Sequence, residues 1–82
     1  MNTVFVIEEN VDYEGDYLQT IHATLEGAMR ELHRRYAHMA ELGTEQLGEM
    51  QLTLDKNDQH VKSAYFRFRN GGFYMSEKTL EA

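Results

Sequence analysis

The side chains of this 82-residue sequence that could do chemistry fall into three groups. The first is a run of carboxylates, Glu8, Glu9, Asp12, Glu14 and Asp16. Asn10, Asp12, Glu14 and Gly15 fall near the spacing of a calcium-binding loop, but Ile21 stands where the closing bidentate glutamate is required. The run therefore reads first as a solvated loop and next as an acidic contact surface. The second group is cationic: Arg30, Arg34, Arg35 and His38 cluster on one stretch and could meet phosphate, although Glu26 and Glu31 offset part of that charge. The third is Tyr65-Phe66-Arg67-Phe68-Arg69, in which rings and guanidiniums alternate. That alternation is similar to strands that stack on RNA bases, without the glycines and aromatic spacing of the established pattern.

Other chemistry finds little to work with. His22, His33, His38 and His60 have no cysteine to help hold a metal, and His33 and His38 are not at the i,i+4 spacing that shares a helical face. No nucleophile elbow or phosphate loop occurs, and Ser63 and Ser76 are the only serines. The sequence predicts no enzyme, no cofactor and no metal site. With no cysteine, disulfides and thiolate zinc sites are excluded. The longest apolar run, Val4 to Ile7, is far short of the ~20 residues that span a membrane, and no basic segment leads into a hydrophobic stretch. The expected compartment is the cytoplasm, with no membrane partner.

The charge is segregated. Residues 1–29 carry six carboxylates and no lysine or arginine, whereas residues 30–82 carry eight acidic and eight basic side chains. The formal charge of −6 thus belongs to one amino-terminal segment. Such a field repels nucleic acid and attracts basic protein surfaces, chiefly through the association rate.

The elements that must position these groups follow from periodicity and turn chemistry. Thr3–Glu9 is β-branched and aromatic and apolar on both faces across Val4–Ile7, the pattern of a strand inside a sheet. Asn10–Gly15 is a loop by its turn formers, and Asp16–Ala23 a second strand, so the carboxylates mark the tip of a wide hairpin. Thr24 is an N-cap, and Leu25, Ala28, Met29, Leu32, Tyr36, Met39 and Leu42 recur on one face of a helix over about 25–42. Gly43 supplies its left-handed end, and Glu31–Arg35 an i,i+4 pair. Thr44–Gly48 is a connector with room for one more helical turn. Glu49–Asp55 alternates, with Met50, Leu52 and Leu54 inward, and Lys56–Gln59 is a turn. Val61–Arg69 is a strand, and Asn70–Gly71 a type I′ turn that sets Phe68 opposite Phe73 and Phe66 opposite Met75. The expectation is one domain over 1–82, an α+β fold in the order ββαβββ: a mainly antiparallel sheet, possibly mixed, with one amphipathic helix on one face. A two-layer domain of this kind leaves the other sheet face uncovered.

Which side chains occupy that uncovered face depends on register. A two-residue turn at Asn57–Asp58 turns Phe66, Phe68 and Phe73 away from the core. A bulge near Lys62–Ser63 reverses the parity, buries the phenylalanines and exposes Tyr65, Tyr74, Arg67 and Arg69. Burial of the phenylalanines is the favoured outcome.

A short strand (Thr3–Glu9), an acidic hairpin, a helix opened by Thr24-Leu25-Glu26-Gly27-Ala28 and a closing meander make up the whole chain. In architecture, size, acidity and lack of cysteine the layout resembles the small accessory proteins of phages and mobile elements. Several of these, CRISPR inhibitors among them, block basic nucleic-acid channels with an acidic surface, and the resemblance implies an anti-defence role of that type. The leading expectation is a protein-binding module with a basic-surfaced partner, touching it through Glu8, Glu9, Asp12, Glu14, Asp16, Tyr65, Arg67, Arg69 and Tyr74. One alternative is a homodimer through the open sheet face. The other is a weak nucleic-acid binder through Arg30, Arg34, Arg67 and Arg69.

Overall fold

The structure, a computed structural model, describes residues 2–43, 46–54 and 61–80. Its elements run β1 (Asn2–Val11), β2 (Gly15–His22), α1 (Leu25–Glu41), β3 (Gln51–Leu54), β4 (Val61–Phe68) and β5 (Gly71–Leu80), the expected ββαβββ order. One sheet holds all five strands in the order β2-β1-β5-β4-β3, and every neighbouring pair is antiparallel. The doubly apolar β1 lies inside the sheet, hydrogen-bonded to β2 on one side and β5 on the other, as its pattern requires.

The helix forms where capping and periodicity place it. The Gly27 N–H donates to Thr24 Oγ1 at 3.1 Å, and Gly43 closes the other end at φ +68°. Ala28 and Leu32 are fully buried, with Leu25, Met29, Tyr36 and Met39 packed around them. Leu42 is the exception to the stripe. It is the C-cap residue, outside the last turn, and its side chain is exposed. Residues 44 and 45 lie outside the described residues. The rest of the connector makes no helical turn: the Gly48 N–H donates to the Arg67 carbonyl at 2.7 Å, running the chain alongside β4.

Register decides the faces, and β4 takes the bulged alternative. Thr53 pairs with Ser63 and Leu54 with Val61, so Lys62 is the extra residue on β4. Ala64 and Phe66 face the helix and are buried, with Phe68 packed against them, while Tyr65 and Arg67 face away. The Tyr36 ring meets Phe66 edge-on at 5.0 Å, and Phe66, Phe73 and Phe68 form a tilted series beneath it. Asp55–His60, and with them the expected turn, lie outside the described residues.

Three local expectations are corrected. The β4–β5 turn is Arg69–Asn70, one residue earlier than Asn-Gly chemistry suggests; it sets Phe66 opposite Phe73 and Phe68 opposite Gly71. Neither turn residue has a positive φ, so the turn is not type I′. Gly71 is required for another reason: a Cβ there would lie 2.1 Å from the Asn10 carbonyl oxygen. Second, β3 is confined to Gln51–Leu54, and although Leu52 takes the helix-side parity opposite Ala64, Leu52 and Leu54 are exposed rather than buried. The helix covers β1, β5 and β2 and stops short of this edge strand. Third, the β1–β2 hairpin is narrow. β1 continues through Asn10 and Val11, and only Asp12–Glu14 lie outside the ladder.

Two stability measurements check this account. Leu32→Ala removes a fully buried side chain and should cost about 2–5 kcal/mol in urea unfolding; a loss under about 0.5 kcal/mol would place Leu32 outside the core. Gly71→Ala forces a methyl against the Asn10 carbonyl and should cost about 1–3 kcal/mol, whereas a neutral result would mean the strands do not approach so closely.

Candidate functional site

The side of the sheet away from the helix has no covering layer among the described residues. Cross-strand pairing orders its side chains into rows. One row runs Leu18, Glu8, Tyr74, Tyr65 and Gln51 across all five strands. The next, nearer the hairpin tip, runs Asp16, Asn10, Gly72 and Arg67. On the other side lie Ile21, Val6, Ser76 and Ser63.

Strict alternation would separate Leu18 from Ile21. A register shift opposite Ile7 and Glu8 leaves Gln19 as an extra residue in β2 and brings both onto the open face. They are 58% and 59% exposed, and Tyr65 and Tyr74 show 43% and 37% of their surface. Four large side chains are so exposed on one face, Leu18 and Ile21 on β2 and Tyr65 and Tyr74 on β4 and β5, with Glu8 between Leu18 and Tyr74. Exposed apolar surface of this kind marks a contact face. Leu18 and Ile21 were not among the residues expected from sequence, because a bulge leaves no signal in an alternating pattern.

The carboxylates do not crowd one loop. Glu8 and Asp16 stand on the open face, Asp12 and Glu14 at the tip, and Glu9 on the helix side. Asn10 Nδ2 donates to Asp16 Oδ1 at 2.8 Å across the hairpin. Arg67 Nη2 reaches Asp12 Oδ1 at 3.4 Å and so ties the hairpin tip to β4. Of the nine residues expected to meet a partner, Glu8, Asp16, Tyr65, Arg67 and Tyr74 share the open face, with Asp12 joined to them through Arg67. Arg69 lies in the β4–β5 turn beside the tip, where the Asp12 N–H donates to the Asn70 carbonyl at 3.0 Å.

Glu9 belongs to a different group. Its Oε1 accepts from Gln19 Nε2 at 3.3 Å, Gln19 Oε1 accepts from Arg35 Nη1 at 3.4 Å, and Arg35 Nε donates to Glu31 at 2.9 Å. Arg34 holds the same carboxylate through Nε and Nη2, both at 2.7 Å. The Arg35 guanidinium also lies 5.2 Å from the centre of the Phe73 ring. This network fastens the helix to the hairpin and engages Arg34 and Arg35. Arg30 and Arg34 stand in the helix layer and Arg67 on the opposite sheet face, so the cationic set does not converge.

The Arg34 hydrogen bond, with attraction to both guanidiniums and against some desolvation, holds Glu31 well below the usual carboxylate value, from 4.5 down to about 2. The same bond raises Arg34. Among the described residues no helix is long and apolar enough to cross a membrane, and no group of three or more histidine or carboxylate side chains is placed to hold a metal ion. The chain matches no protein-family model, no curated protein and no solved structure.

The Glu31 cluster predicts a pH effect. A carboxyl whose pKa is lowered by folding stabilises the fold above the unfolded value, and loses that contribution as pH falls from 4.5 towards about 2. Glu31→Gln should therefore lower the melting temperature at neutral pH, and the gap from wild type should close across that acid window. Exposure of the Arg34 side chain keeps the effect modest. Melting curves that stay parallel from pH 7 to pH 2 would show that the cluster does not stabilise the fold.

Proposed function

We propose that this chain is a protein-binding module without catalysis of its own, which lays its open sheet face and acidic hairpin against a basic protein surface. The observation that carries the reading is the cross-strand row Leu18, Glu8, Tyr74 and Tyr65, in which half-exposed apolar side chains flank a carboxylate on a face with no second layer. Interfaces that bind firmly combine aromatic anchors with complementary charge at their edges. Here the anchors are the two tyrosines, and the charge comes from Glu8, Asp16 and the tip carboxylates, within a chain of net charge −6.

The more specific form of the proposal is an inhibitor of a nucleic-acid-handling machine in the cytoplasm, of the kind phages and mobile elements use against host defence. A groove that holds a phosphate backbone is basic, and a face presenting carboxylates beside aromatic rings competes for it on charge. Arg34 and Arg67 are engaged by this protein's own carboxylates, which supports a protein partner over nucleic acid.

Once the partner has been isolated, association kinetics test the reading. The variant Glu8→Gln, Glu14→Gln, Asp16→Asn should associate at least about tenfold more slowly at low salt, since electrostatic steering raises rates well above the neutral range. The difference should vanish near 1 M salt, where the Debye length is about 3 Å. The partner should also release bound DNA or RNA when the wild-type chain is added. An unchanged rate at low salt overturns the proposal. So does a dimer in sedimentation at ~100 μM that Tyr65→Ser, Tyr74→Ser dissolves, because the face would then be taken by a second copy.

A further inference from the structure

The open face is not flat. At Gly72 the row Asp16, Asn10, Gly72 and Arg67 lacks a side chain, and Tyr74 and Tyr65 stand in the adjoining row. The result is a hollow of about 280 Å³. That is just below the lower end of the ~300–1,000 Å³ range of small-molecule sites, and suits one inserted side chain rather than a cofactor. Gly72 keeps its floor open: a Cβ there would lie 2.7 Å from the Phe66 carbonyl oxygen and 3.4 Å from Arg67 Cγ.

The walls define what fits. Two tyrosine rings line one side. Arg67 contributes its methylene stem beside Gly72, while its guanidinium is drawn away to Asp12 at the tip. Asp16, held by Asn10 at 2.8 Å, supplies a carboxylate at the far end. Resting on the reading of this face as an acidic docking surface, we infer that the Gly72 hollow receives one lysine or arginine side chain of the partner. The stem lies along the Arg67 methylenes and the tyrosine rings, and the cationic head meets Asp16. Aromatic faces attract cations through the ring quadrupole, and the attraction grows as water is excluded. An anion would face the Asp16 carboxylate. A purely apolar side chain would strip water from that carboxylate and leave it only the Asn10 amide.

The test is an NMR titration of the full ¹⁵N-labelled chain with N-acetyl-arginine amide, and with its neutral isostere N-acetyl-citrulline amide. The arginine compound should shift the Gly72, Asp16 and Tyr74 amides saturably, with the citrulline compound at least about threefold weaker. Tyr74→Leu keeps the apolar area and removes the ring; Asp16→Asn keeps the shape and removes the charge. Each should weaken arginine binding about threefold, with the remaining spectrum unchanged as the check on folding. Equal binding of arginine and citrulline overturns the inference. Hexa-arginine that binds wild type, Tyr74→Leu and Asp16→Asn equally, with shifts confined to Glu8 and Glu14, overturns the hollow while leaving the acidic docking face standing. No binding of hexa-arginine by the wild-type chain removes both.

Discussion

The pairing of β1 with β5 is the constraint on which the rest of the structure depends. From Asn2 against Leu80 to Val11 against Gly71, the two longest strands run the full length of the sheet without a register shift. Every other strand takes its parity from that ladder. β2 is laid on one side and β4 on the other, and the helix covers the face that carries Ile7, Phe73 and Met75. Because a one-residue slip exchanges the two faces of a strand, an uninterrupted central ladder is what keeps the phenylalanines under the helix and the tyrosines outside. The irregularities are displaced to the outer pairs, as Gln19 in β2 and Lys62 in β4.

That arrangement explains which parts of the fold were legible in the sequence. The helix carries its own instructions in Thr24, the Leu25–Met39 stripe and Gly43, all of which act within a few residues of one another. The strands of β1 and β4 were also legible, since their composition requires burial. What a single strand cannot encode is its distance from the helix. Leu52 and Leu54 have an inward pattern, yet they lie on an edge that one helix does not reach. Asn70-Gly71 has the chemistry of a hairpin turn, yet Gly71 is set by the Asn10 backbone, more than half the sequence away. Short-range signals were reliable where the cause was short-range.

The candidate site shows the same division. Its residue types were apparent from the sequence: carboxylates in one segment, and aromatic and basic side chains alternating in another. Their grouping was not. Glu9, adjacent to Glu8, faces the helix and joins the Gln19–Arg35–Glu31 chain of hydrogen bonds. Leu18 and Ile21 entered the open face through a bulge, and Gly72 acquired meaning only once Asn10 and Arg67 were placed on either side of it. A run of like charges in sequence was divided by strand alternation into two surfaces with different partners.

The β1–β5 ladder also fixes where the described chain begins and ends. Residues 2 and 80 sit side by side at one end of the sheet, while Val11, Gly71 and the hairpin tip occupy the other. The molecule is therefore directional along its strands, with Asp12 and Glu14 at one end and residues 2 and 80 at the other, like a blade whose leading edge carries the charge.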